Sequence, residues 1–445
     1  MTRSRFAFCL ALACAAPAAG AHALQDRYDL PLPLSWVVAG AGAVVLLTFV
    51  LAAFFARGAA DASALRRQRV LRLPQPLLLP LQALSLLLFT VTVAAALWGT
   101  QDPLMNLAPT MVWIVAWLGL IFAAAFFVDL WPALDPWRSL HAWLPWRNAG
   151  PLRWPRALGC WPAVALLLAW CWLEIVAPIA SSPRRMGWLL LAWTVLSLAG
   201  MLAFGRRRWQ AHADVFALVF ATFGRMPPRR LELADPPSAE SVAGLVGFVL
   251  ALLSTVIFDG LHGAPAWLVF EETLRRFSPV TLDVNGHLAG TAGLLLVWLA
   301  FVVLFEAAAR AASKLAGTGP DLRERLALTL LPIATGYVVA HNFSTFVLQG
   351  QRVFALLSDP FGRQWDLFGT ASFYPDIAWL DARAIWFIAV TAIVAGHAAS
   401  IWWSHRVTLA HGVAPRRAAL ALAPLTALMV GFTAVSLLLL AAGEA

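Results

Sequence analysis

"STVIFDGLHG" (254–263) closes an apolar run that begins near residue 241, and it sets a carboxylate, Asp259, and an imidazole, His262, at the end of that run. The run 241–261 has the length of a helix that crosses a bilayer, because about 20 residues rising 1.5 Å each span a hydrocarbon core about 30 Å thick. Working outward, the same kind of run recurs at 34–55, 77–98, 109–131, 157–178, 187–204, 287–309, 327–348, 382–403 and 418–441. The whole chain is 61% hydrophobic and 12% charged, about half the charged fraction of a soluble domain. The expected fold is therefore all-α, a polytopic transmembrane helix bundle of about ten spans. No loop is long enough to bury a core of its own, so residues 24–445 read as one integral membrane domain.

A leader precedes it. "MTRSRFAFCLALACAAPAAGAHA" (1–23) carries Arg3 and Arg5, then an apolar core, then small residues, the pattern of a cleaved signal peptide. Cleavage after Ala21 makes His22 the new N-terminus, whose amine and imidazole together suit a transition metal.

The net charge of +9 is almost all arginine, with Lys314 the single lysine. Such a balance can signal nucleic acid, but these arginines sit in short loops between apolar runs. Arg66, Arg67, Arg69 and Arg72 mark one such loop, and Arg206, Arg207, Arg208, Arg225, Arg229 and Arg230 another. Alternate loops are basic, as the positive-inside rule requires. No nucleic-acid partner is expected. The partner is the lipid bilayer, the place is a bacterial inner (cytoplasmic) membrane, and both mature termini face the periplasm. The 22 tryptophans mostly flank the apolar runs, where indole rings settle at the lipid boundary.

The outer loops 262–286 and 349–381 are the long ones. Within the first, "APAWLVFEETLRRF" (264–277) pairs Glu271 with Arg275 and Glu272 with Arg276 at helical spacing and reads as an interfacial helix. The second is rich in aromatics and reads as a lid. The inner segment 213–226 reads as a further surface helix, and His405 and His411 as solvated inner-loop residues. Cys160 and Cys171 lie about 16 Å apart along one helix, too far for a disulfide.

Ionisable residues inside spans are costly and usually turn inward toward a partner. Thr255, Asp259 and His262 share a stripe near the outer end of the sixth span. Tyr337, His341, Ser344 and Thr345 share one in the eighth, with Asn342 beside it and Pro332 and Gly336 before it. His287 opens the seventh span at the same level. Asp259, His262 and His341 are the candidate catalytic residues, as base and orienter of an attacking water. Asp259, His262, His287, His341 and His22 are the candidate ligands of a divalent zinc or copper ion, whose preferred donors are imidazole and carboxylate. Trp267, Phe270, Trp365, Phe368, Phe373 and Tyr374 are candidates for an aromatic entrance. His397 lies too deep to share an ion with His341. Glu174 and Glu306 are further intramembrane carboxylates, suited to carry protons or to pair with a neighbour such as Arg310.

Several stretches resemble a known group. "RYDLPLPLSW" (27–36), "DPWRSL" (135–140), "STVIFDGL" (254–261), "AHNFSTFVLQGQ" (340–351) and "LLSDPFGRQWDLFGT" (356–370) together are similar to bacterial multi-span membrane proteins known as fenitrothion hydrolases. The resemblance implies hydrolysis of an apolar aryl phosphorothioate triester and carries no assigned catalytic residues. The alternatives are an ion- or metal-coupled transporter or permease, suggested by the scattered intramembrane carboxylates and histidines, and a non-catalytic membrane subunit.

Overall fold

The computed structural model describes residues 33–55, 68–144, 150–177, 179, 182–227, 229–232, 243–277, 287–319 and 321–443. The leader 1–23, with His22, lies outside them. The described elements are, in order, α1 (Leu34–Phe55), β1 (Arg69–Arg72), α2 (Gln75–Trp98), α3 (Leu107–Phe126), α4 (Trp131–Leu134), α5 (Pro136–Trp143), α6 (Trp161–Ile175), α7 (Pro183–Phe204), α8 (Arg206–His212), α9 (Val215–Phe223), β2 (Arg229–Glu232), α10 (Leu245–His262), α11 (Pro265–Phe277), α12 (Leu288–Ala316), α13 (Asp321–Leu328), α14 (Leu331–Ser344), α15 (Val353–Ser358), α16 (Ala382–Ala410) and α17 (Pro415–Gly443). The architecture is an all-α polytopic bundle. Among the described residues, nine helical stretches are long and apolar enough to cross a membrane.

The fourth expected span is the exception. It narrows from 157–178 to α6, whose 15 residues rise only about 22 Å. α6 nevertheless runs between the same two ends as its neighbours, parallel to α10 and antiparallel to α12. At its start the Cys160 N–H donates to Ala243 O (2.7 Å), just before α10. At its far end Trp172 Nε1 donates to Thr291 Oγ1 (2.8 Å), just inside α12.

Cross-links of this kind sort the loops into two ends. At one end Thr100 N–H donates to Phe361 O (2.9 Å), Arg184 N–H to Gln101 Oε1 (3.0 Å) and Arg352 to Leu104 O (2.6 Å). At the other, Gln68 Nε2 donates to Gly224 O and Pro227 O (2.7 Å each), Arg417 to Leu315 O (2.8 Å), and β1 pairs in parallel with β2, Arg69 opposite Arg229. The arginine-rich loops gather at this second end, so the first is called outer. The two strands are the one β element among the described residues, and the apolar pattern gave no sign of them.

The segment 213–226 is not a surface helix. α8 and α9 form a hairpin that folds back into the bundle. Trp209 on α8 lies against Gly200 of α7, and Val215, Phe216, Val219, Phe220 and Phe223 of α9 are all buried. Phe216 packs against Trp170 (5.0 Å between ring centroids), Trp193 (5.2 Å) and Trp137 (5.8 Å). A short helix that is apolar on every side can only be stable inside a core. α4 and α5 make a second such insertion, pinned to the middle of α7 by Trp137 Nε1 donating to Thr194 Oγ1 (2.9 Å).

Both insertions are capped by aspartates. Asp135 Oδ1 accepts the N–H groups of Trp137 and Arg138 (2.9 Å each), and its Oδ2 accepts Gln210 Nε2 of α8 (2.7 Å). Asp214 accepts Ala217 N–H (3.1 Å). Asp135→Ala is expected to lower the thermal midpoint in detergent, by the loss of about 1 kcal/mol of capping plus the bond that ties the two insertions together. Asp135→Asn, which keeps a capping oxygen, should lower it less.

The eighth expected span is broken. α13 ends at Leu328, and α14 restarts at Leu331 with Pro332 in its first turn. Pro332 has no N–H to give, and Ile333 N–H turns to Leu330 O (3.0 Å) instead of Thr329 O. The freed Thr329 carbonyl accepts Ser400 Oγ of α16 (2.6 Å). Beyond Ser344 the helix widens into a π-turn over Thr345–Gln349. Such bulges are often found beside functional sites.

The loop 359–381 is ordered by its own polar groups. Asp366 Oδ1 accepts Ser358 Oγ (2.8 Å) and Ala371 N–H (3.0 Å), and these bonds hold its carboxyl below the usual aspartate range. A depressed value means that the carboxylate supports the fold above the ordinary aspartate pKa, and that this support fades as pH falls through the lower, folded value. The protection of amides around 366–371, taken relative to the intrinsic exchange rate at each pH, should therefore hold from neutral pH to about pH 4 and fall below it.

Candidate functional site

α10 is central to the bundle. Every residue from Gly247 to Thr255 is buried, and the helix packs on α6, α12 and α14. Its last turns emerge from this core beside α14, so the carboxylate of "STVIFDGLHG" faces a neighbouring helix and not lipid. Asp259 Oδ2 lies 2.8 Å from His341 Nε2. A carboxylate can only accept, so Nε2 carries a proton, and in the neutral ring Nδ1 is the basic nitrogen. The Asp259 and His341 side chains are 38% and 40% exposed, enough for a molecule in the adjoining cavity to reach them.

That cavity has a volume of about 680 Å³, within the range of small-molecule sites. Its mouth lies among Gly263, Gln349 and Ala382, at the outer ends of their helices, and its floor is formed by Tyr337 and Ile393. Asn342, Ser344, Thr345 and Ser436 add polar groups to a wall otherwise made by residues such as Val256, Leu348 and Leu440. The site thus offers one imidazole base oriented by a carboxylate, a few hydrogen-bonding groups, and an apolar remainder.

The two sequence stripes meet unequally. All of Tyr337, His341, Asn342, Ser344 and Thr345 line the cavity, and from α10 so does Asp259. Thr255 bonds back to Ala251 O (2.8 Å). His262 packs instead against Phe258 and Trp267 (5.6 and 6.0 Å), and His287 against Trp172 (5.7 Å). Among the described residues no three His, Cys, Asp or Glu side chains gather as metal ligands would. Glu174 of α6 lies near enough to Asp259 to act on it electrostatically. Glu306 is tied up by Arg310 (3.1 Å) and Arg323 (3.2 Å).

The expected aromatic entrance does not form. None of Trp267, Phe270, Trp365, Phe368, Phe373 and Tyr374 lines the cavity. Trp267 meets Phe258 edge-on and lies tilted to Phe270, Trp365 lies edge-on to Phe361 and Phe373 to Phe354, and Tyr374 is 87% exposed. His405 is a further correction. α16 continues to Ala410, two turns beyond the expected end of the span, and His405 is fully buried in it. Ser436 and Ile393 were not singled out from sequence. A lone serine in "AVSLLLL" was the one available hint for Ser436.

Compared with protein-family models, with curated proteins and with solved structures, the chain has no significant match in any of the three.

Proposed function

We propose that this integral membrane protein hydrolyses uncharged, apolar aryl phosphorothioate or phosphate triesters in the outer cavity. The observation that carries the reading is the 2.8 Å Asp259–His341 pair in the wall of that cavity. His341 Nδ1 takes a proton from water as the water oxygen attacks phosphorus. The P–O bond to the aryl group breaks, and the aryloxide leaves. Asp259 holds the imidazole in the required tautomer and offsets the charge it gains. Asn342, Ser344, Thr345 and Gln349 are the donors available to the phosphoryl or thiophosphoryl atom. The substrate enters through the outer mouth, at the level of the bilayer surface where a neutral triester concentrates.

The Asp259–His341 pair offers two donors of the four that zinc favours, and His262 and His287 are held by aromatic rings elsewhere. The reaction is therefore assigned to His341 itself. The resemblance to fenitrothion hydrolases supports the substrate class, and the arginine distribution supports an inner-membrane protein whose cavity opens to the periplasm with both mature termini on that side.

The test is release of nitrophenol from fenitrothion by the purified chain in detergent, followed by absorbance. Turnover above a detergent blank is expected. No release across neutral and mildly alkaline pH would overturn the hydrolase reading.

A further inference from the structure

The cavity ends on two residues that lead further in. Tyr337 forms part of its floor and lies edge-on to His397, with ring centroids 6.3 Å apart. Ile393, the other floor residue, accepts His397 Nδ1–H through its carbonyl (2.8 Å). Because a carbonyl only accepts, His397 Nε2 is left as the basic nitrogen. It is fully buried and has no hydrogen-bond partner among the described residues.

About two turns further along α16, roughly 10 Å from His397, the Thr329 hydroxyl at the break in the eighth span meets Ser404. Thr329 Oγ1 lies 2.7 Å from both Ser404 Oγ and Leu326 O. Ser404 Oγ lies 2.8 Å from Ser400 O. Each hydroxyl has one proton and a choice of two acceptors, the arrangement of a relay. Next comes His405, fully buried, with neither ring nitrogen partnered among the described residues. Three unpartnered buried nitrogens cost roughly 1–3 kcal/mol each, which a purely structural bundle would shed by using apolar residues.

We propose that the cavity communicates with the arginine-rich face through a buried file of proton-carrying side chains, Tyr337, His397, Thr329, Ser404 and His405, bridged by bound water, which conducts protons through the inner half of the bundle. His397 and His405 are about 12 Å apart along α16, so the cavity shortens the path to be crossed. The other helices packed on α16 add little charge. α1 has no ionisable residue, and α17 has only Arg416 and Arg417 at its inner start. α13 carries Asp321, which meets both Arg325 (3.0 Å) and His411 (3.2 Å) at the inner exit, together with Glu324 and with Arg323, which is bound to Glu306. The proposal does not rest on hydrolysis, since the file begins below the cavity whatever reacts there.

The test uses the full chain in liposomes loaded with a pH-sensitive dye, with a valinomycin potassium diffusion potential drawing protons inward. Acidification faster than in protein-free vesicles is expected. His397→Gln and His405→Gln should each slow it by roughly tenfold or more, because each removes one proton-carrying site in series. His212→Gln, which alters a histidine bonded within its own helix at the inner end, should leave it unchanged. Should either glutamine variant fail to elute as a single species, Ser404→Ala takes its place under the same criterion. A wild-type rate equal to that of empty vesicles, or an unchanged rate in the variants, overturns the proposal.

Discussion

His341→Ala is expected to lower nitrophenol turnover by about 10²- to 10⁴-fold, the range supplied by a positioned general base. The variant should still insert and elute as wild type, because His341 stands at a cavity wall with its side chain 40% exposed and leaves no closed void behind it. Asp259→Asn is the sharper probe. The amide keeps the size and one accepting oxygen, so the 2.8 Å contact can survive. It carries no charge to offset an imidazolium, and its NH₂ group can turn toward Nε2 and displace the tautomer. The loss should fall in kcat, because the missing interaction is made as the proton moves. His262→Ala and His287→Ala should retain most of the turnover, since both rings pack on aromatics outside the cavity.

The largest effect on stability is expected at the crossing of α14 and α16. Gly336 and Gly396 bring the two backbones into contact. A Cβ at Gly336 would stand 2.4 Å from Ala392 O, and one at Gly396 2.5 Å from Pro332 O. Neither neighbour is a flexible side-chain tip, so the helices themselves must part. Small residues allow such close approach in membrane bundles, where dispersion contacts replace the hydrophobic effect as the associating force. Gly336→Leu should cost roughly 3 kcal/mol, the upper end of overpacking penalties, seen as a large fall in thermal midpoint or as failure to assemble. The damage reaches the site, because Tyr337 and His341 follow on the same helix. By contrast Gly260→Ala, with open space around the added methyl, should be tolerated.

The sequence made the membrane class and most spans legible because length and hydropathy are local properties. What it hid was mostly tertiary. Depth counting could place Asp259 and His341 at one level, yet only packing could decide that α10 and α14 are neighbours. The same count put His262 and His287 nearby and could not see the indole rings that hold them. The segment 213–226 misled because amphipathic surface helices are the common reading of short inner segments. "VFALVFATF" (215–223) is apolar all round, and that signal pointed inward. An apolar run that ends at 403 leaves His405 in the loop that follows. The helix in fact runs on to Ala410, with His405 buried in it and Arg406 half-buried. The break at Thr329 had a visible cause in Pro332, but its partner, Ser400, lies 71 residues away in sequence.

A double-mutant cycle on turnover tests the central claim most directly, that Asp259 and His341 act as one unit in the outer cavity. If they do, the Asp259→Asn, His341→Ala double variant should be no slower than His341→Ala alone, since removing the base leaves its orienter nothing to orient. Losses that multiply across the two sites would show that the residues act independently and would contradict the account.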